Sequence, residues 1–238
     1  MKSETVAKFA DNWSYLKAEL AWLDRVIMRA IAKQRQLNRE IDRISRSEVD
    51  KATSHWWKGF ITLDPPNGGQ QIPPKPSVEI SAGVRYGDRI VESQAQAINL
   101  TIPTLCDRLK LGKFERDVLI LCLAPEINRR YEKLYVVLNN DDSSCRQPTI
   151  DLALRLFCRS DAEWRSARNL LAPKSPLIKA KILEILPAHT SAQTLIARSL
   201  RLSDRSVDYL LSEDQAIESI LPKPRKRAVA NVKTQVSS

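Results

Sequence analysis

Residues 148–171 read PTIDLALRLFCRSDAEWRSARNLL, and the turn chemistry inside this stretch decides the fold class. Pro148-Thr149 is a start signal for a helix carrying Leu152, Leu156 and Phe157. Ser160 and Asp161 then supply a second N-cap, and Glu163, three residues after Ser160, completes a capping box. The helix that follows, 161–171, is predicted to turn Trp164, Ala167, Leu170 and Leu171 to one side and Arg165, Arg168 and Asn169 to the other. Two short helices joined by a tight turn read as a helix-turn-helix. Downstream, 178–185 and 195–202 are strand-like, separated by the polar loop 187–194. Helix, turn, helix, β-hairpin is the order of a winged helix. Ser203-Asp204 opens a last short helix bearing Val207, Leu210 and Leu211.

Working back towards the amino terminus, the pattern stays helical with short breaks. A helix is expected over 80–97. Thr101-Ile102-Pro103 opens another that runs to Leu109, with proline in the first turn. Gly112 separates it from 113–123, where Phe114, Val118, Leu121 and Cys122 share a face. Pro125 is read as the start of the next helix, with Tyr131, Leu134, Tyr135 and Leu138 at helical spacing, before the polar turn 139–144. Residues 64–77, DPPNGGQQIPPKPS, contain five prolines and two glycines and read as a linker in extended conformation.

Before that linker lies one long amphipathic helix. Val6, Phe9, Trp13, Leu16, Leu20, Leu23, Ile27 and Ala30 follow alternating steps of three and four, and the frame continues weakly to Ile44. Neither Pro nor Gly interrupts residues 1–58, so the helix is expected to fray only near Lys51–Ser54. The seam outlasts the face of a small domain. It is therefore read as a coiled coil or partner-docking helix, with a helix lying along its own domain as the alternative. Trp13, Leu16, Leu20, Leu23 and Ile27 are the candidate partner-binding residues, joined by Trp56 and Trp57 at the Trp-rich end, since adjacent tryptophans cannot both face one core from a helix. The organisation expected is 1–63 long helix, 64–77 linker, 78–220 helical winged-helix-like domain and 221–238 basic disordered tail: a mainly α fold with one small β-hairpin.

A net charge of +10 points to nucleic acid until it is located. Residues 222–238 hold five basic residues and no acid, whereas residues 61–221 are nearly neutral. Candidate nucleic-acid contacts are Arg165, Arg168, Lys174, Lys179 and Lys181 on or after the second motif helix, and Arg225, Lys226 and Arg227 in the tail. The four cysteines form no C-x-x-C pair, and the two histidines, His55 and His189, have no metal-ligand spacing. No metal and no cofactor is expected. There is no phosphate-cradling G-x-x-x-x-G-K-[ST] loop and no G-x-S-x-G elbow. No apolar run reaches the ~18 residues that span a bilayer, and MKSETVAKFADNW lacks the features of a secretory signal. The expectation is a cytoplasmic protein without catalytic machinery.

Six stretches, NWSYLKAELAWLDRVIMRAIAKQRQ, TSHWWKGFITL, LGKFERDVLILCLAPEINRRYEKLYVVLNND, PTIDLALRLFC, SPLIKAKILEIL and SLRLSDRSVDYLL, cover most of residues 12–212. Together they resemble the amino-terminal region of a bacterial, especially cyanobacterial, group of AAA+ ATPases that carry a variant winged-helix domain before the ATPase module. Phe114-Glu115-Arg116-Asp117, Pro125-Glu126 and Arg130-Tyr131 are the most specific matches. The resemblance implies a partner-binding module, whose partner is an AAA+ ATPase or, through the long helix, a second copy of the chain. In that group the ATPase follows the helix matching Val207–Leu211, whereas here a short basic tail follows, as expected of a truncated or split form or of a stand-alone paralogue that binds the ATPase or its targets. Nothing in the sequence matches Walker or arginine-finger residues, so ATP binding is not carried over.

Overall fold

The structure is a computed structural model that describes residues 8–45, 76–139, 146–187 and 194–221. The described chain is mainly helical: α1 (Asn12–Ser45), α2 (Pro76–Ala95), α3 (Thr101–Leu109), α4 (Lys113–Ile127), α5 (Arg130–Leu138), α6 (Ile150–Phe157), α7 (Asp161–Leu170) and α8 (Pro176–Lys179). Strand β1 (Leu183–Ile185), a 3-10 turn at Leu195–Ala197, β2 (Leu200–Leu202), α9 (Asp204–Leu211) and a second 3-10 turn at Ile217–Ser219 complete it. The expected helical fold class and the small hairpin are both present.

Helix α4 is the axis of the core. Every residue from Val118 to Pro125 is buried, and a helix apolar all round must be covered all round. It touches α1, α3, α5, α6 and β2. Pro125 does not open a new helix but sits inside the last turn of α4. Proline lacks the N–H that would bond to the carbonyl four residues back. Here the Tyr135 hydroxyl donates to the Leu121 carbonyl at 2.7 Å, replacing that donor. The next helix starts only at Arg130, after Asn128 breaks the backbone into an extended conformation. Likewise α2 begins at Pro76, so the last two residues of the expected linker are helical. Linker residues 64–75 and the expected fraying at Lys51–Ser54 lie outside the described residues.

Helix α1, 34 residues and so about 51 Å long, lies along this core. Tyr15, Leu16, Leu23, Ile27 and Ile31 are buried in the same cluster as the apolar residues of α4, α5 and α6. Three sets of contacts fasten it. At its start, the Glu213 carboxylate accepts from the Asn12 and Trp13 amides, both at 3.2 Å, where a helix amino terminus favours an anion. Further along, buried Glu19 pairs with Arg116 of α4. One turn on, Asp24 pairs with Arg130 and accepts from the Tyr131 hydroxyl at 2.8 Å. Trp22 stacks on Phe157 of α6 with ring centroids 5.9 Å apart, and Phe114 meets the same ring edge-on.

The carboxyl-terminal part arranges α6, α7, β1 and β2 as the sequence order demands. β1 and β2 are antiparallel, pairing Leu183 with Leu202, Glu184 with Arg201 and Ile185 with Leu200. Residues 148–150 add a third edge: Thr149 bridges Ser199, and the Leu200 and Ile150 amides donate to the Pro148 and Arg198 carbonyls at 2.7 and 3.0 Å. Two expected strands are shorter than their alternation implied. Ser175-Pro176 opens α8, so 176–179 are helical, and Lys181 at φ 57° turns the chain into β1. Leu195–Ala197 forms a 3-10 turn, leaving only 200–202 as strand.

The candidate partner-binding surface

Helix α7 is capped as the sequence directs. The Ser160 hydroxyl accepts from the Glu163 amide at 3.3 Å. The Glu163 carboxylate reaches back one residue further than a capping box requires, to the Arg159 amide at 2.7 Å. Only Ala167, with Leu171 just after the helix, is buried; the remaining residues from Asp161 to Asn169 are exposed. So α7 touches the core along a narrow strip, and Trp164 is 37% exposed. Trp164 and Arg168, four residues apart, share a helix face, which corrects the expectation that they point to opposite sides. Together with Thr194, Leu195 and Ile196 of the 3-10 turn they line an open groove of about 350 Å³. Leu195 is 38% exposed.

Leu195 and Ile196 are not identifiable as groove residues from the strand-like alternation of 195–202. Their signal was two large aliphatic residues side by side directly after a polar loop, where strict alternation would bury only one. Of the basic candidates, Arg165, Arg168, Lys174, Lys179 and Lys181 are all exposed, but only Arg168 lines the groove. No ion pair joins these five to an acid among the described residues. Arg225, Lys226 and Arg227 lie outside the described residues, as do Trp56 and Trp57.

The seam of α1 has a different fate. Leu16, Leu23 and Ile27 are buried against their own chain and Leu20 is half-buried, which corrects a reading of the whole seam as an intermolecular surface. A spacing of three and four fits a domain core as well as a coiled coil, because both ask for one apolar stripe. Trp13 alone of the five is open, with the Lys17 ammonium 5.6 Å from its ring centroid.

Three of the residues that carry the resemblance most specifically, Arg116, Arg130 and Tyr131, hold α1 in place. Glu115 accepts from the Gly112 amide at 2.8 Å and closes the start of α4. Arg116 bridges Glu19 and Asp117, the latter at 2.7 Å. Burial works against the Arg116 charge, yet Glu19, Tyr15 and Asp117 together outweigh it and raise the pKa. Burial pushes the Asp117 carboxyl up to about 6, while Arg116 and Lys113 pull it down. Arg130 and Tyr131 clamp Asp24.

The described thiols are poor nucleophiles. Burial pushes Cys158 up to about 11 and Cys106 up to about 12, and it raises fully buried Cys122 as well. A thiolate, the reactive form, is therefore scarce at neutral pH. Among the described residues no three His, Cys, Asp or Glu side chains are grouped to hold a metal, and no helix is long and apolar enough to cross a membrane.

No curated protein and no solved structure matches the chain. The sequence profile of one family, described as "Winged helix domain, variant", matches residues 1–223 and so takes in α1 as well as the helix-turn-helix and its hairpin. The chain therefore belongs to the variant winged helix domain family.

Proposed function

We propose that the chain is a non-catalytic interaction module that receives a protein partner in the groove between α7 and the turn at Leu195–Ala197. The observation that carries this reading is the apolar lining. Trp164, Leu195 and Ile196 meet where a nucleic-acid-reading winged helix presents polar and basic side chains to bases and phosphates. Partly exposed tryptophan beside aliphatic residues is the composition of an interface hot spot. The likeness to the amino-terminal region of AAA+ ATPases supports such an ATPase, or a substrate that it handles, as the partner class.

The test is a titration of the chain against an ATPase module of the group it resembles. Trp164→Ala and Leu195→Ala should each weaken binding at least tenfold, while far-UV circular dichroism stays unchanged. Equal affinity of wild type and both variants rejects the groove as the docking site.

The exposure of Arg165, Arg168, Lys174, Lys179 and Lys181 favours a second reading, phosphate contact through α7 and the residues after it. On that reading Arg165→Ala/Arg168→Ala abolishes duplex binding, and the groove variants leave it intact.

A further inference from the structure

Helix α1 sorts its charges. Its early acids are spent inward or on a flank: Glu19 is buried against Arg116, and Asp24 is shared by Arg130 and Tyr131. Between Asp24 and Glu40 the sequence then contains no acid and five cations, Arg25, Arg29, Lys33, Arg35 and Arg39. All five are exposed. Arg25, Lys33, Arg35 and Arg39 form no ion pair among the described residues. Exposed Arg129 and Lys133 continue the positive surface onto the neighbouring α5, whose one acid, Glu132, is engaged by Arg129 at 3.7 Å.

Helix stability does not explain this face. Like charges four residues apart, as in Arg25-Arg29-Lys33 and Arg35-Arg39, repel along a helix, and a glutamate at any of these positions would relieve the repulsion. Fourteen residue steps give a cationic solvent face about 21 Å long, in two rows, Arg25-Arg29-Lys33 and Arg35-Arg39. Four of its five cations are arginine, the side chain best shaped for phosphate.

We propose that the solvent face of α1 grips the phosphate backbone of duplex nucleic acid without reading its sequence. The face lacks what other polyanionic partners would need. Between positions 25 and 39 Met28 is the single large exposed apolar side chain, too little to anchor in a lipid interface, where an amphipathic helix inserts a whole apolar face. It has no aromatic residue between positions 25 and 39, whereas protein interfaces are enriched in aromatics and single-strand sites stack bases on them. This surface is separate from the groove beside α7, so failure of either proposal leaves the other standing.

The experiment uses the full chain and unrelated duplex sequences at several salt concentrations. Binding should be indifferent to sequence and fall steeply with salt, with a slope of about −0.9 per phosphate neutralised. The variant Arg25→Gln/Lys33→Gln/Arg35→Gln/Arg39→Gln should bind at least tenfold more weakly at about 50 mM salt and show a slope flatter by about two to four. Arg25→Lys/Arg35→Lys/Arg39→Lys keeps the charge and should keep the slope, which separates lost charge from lost fold. Arg165→Ala/Arg168→Ala should leave the binding by α1 in place. The proposal is overturned by unchanged affinity and slope in the glutamine variant, by absent duplex binding at low salt, or by preference for anionic phospholipid vesicles over duplex.

Discussion

Pro125 and Tyr135 form a pair that neither residue announces alone. Ten residues separate them in sequence, and only the fold places the Tyr135 hydroxyl on the Leu121 carbonyl that the proline leaves without a donor. Tyr135→Phe should cost about 1–3 kcal/mol, the usual penalty for a buried polar group left unsatisfied, measured by urea unfolding. In a Pro125→Ala background the restored amide can bond the same carbonyl, so the cost of Tyr135→Phe should shrink to within about 1 kcal/mol. Equal costs in both backgrounds would show that the hydroxyl does not substitute for the missing amide.

Asp117 gives a prediction with a sign. Its folded pKa of about 6 lies above the ordinary carboxylate value, first because burial disfavours the charge. Between about pH 4 and 6 the folded state keeps a proton that the unfolded state has lost, so this group's contribution to stability falls as pH rises through that window. At about 1.4 kcal/mol per pH unit between the two values, the change approaches about 3 kcal/mol at most. Asp117→Asn should abolish it. Melting curves from pH 4 to 7 should therefore show wild type losing ground to the variant as pH rises to 6, and no further change above it.

At the scale of elements, the two acids that fasten α1 are not equivalent. Glu19 is almost fully buried and Arg116 about three-quarters so, whereas Arg130 is half exposed and Asp24 a third. Breaking a buried pair leaves a desolvated charge without its partner, while an exposed pair contributes little. Glu19→Ala should cost about 3 kcal/mol, somewhat less than a fully enclosed pair because Arg116 keeps some water. Asp24→Ala should cost about 1 kcal/mol, mostly from the lost Tyr131 hydrogen bond. Comparable midpoint shifts in urea would contradict this ranking. The existence of α3, α6, α7 and α9 was legible because each begins with local chemistry: a proline in the first turn of α3, a hydroxyl cap at α6 and α7, and a serine in the N-cap position of α9. The direction of the α1 seam was not. The residues that turn it inward, Arg116 and Arg130, lie about a hundred positions away, and a periodic stripe says only that something covers it. The groove was half legible: Trp164 and Arg168 sit on a helix whose start the capping residues mark, but Leu195 and Ile196 belong to a turn set by the hairpin's return.

On the scale of the whole molecule, the chain closes on itself through Asn12. Its apolar neighbours Trp13 and Leu16 define the heptad frame, while Asn12 falls outside the frame and is fully buried. Its amide donates to the Leu210 and Ser212 carbonyls at 2.9 and 3.1 Å, and its oxygen accepts from the Thr101 amide and hydroxyl, both at 3.1 Å. One side chain thereby caps the start of α3, which has no side-chain cap of its own, and ties down the end of α9. Sequence spacing cannot show this, because the partners lie about 90 and 200 residues away. Asn12→Ala leaves a buried amide without its acceptor and one carbonyl without its donor, so it should cost about 3 kcal/mol in urea unfolding. Because α1, α3 and α9 meet at this residue, the loss should be shared. Amide hydrogen exchange in the variant should speed up together in the first turns of α1 and α3 and the last turn of α9. If α1 alone frays while the amides of α9 keep their protection, α1 and α9 are packed side by side rather than coupled.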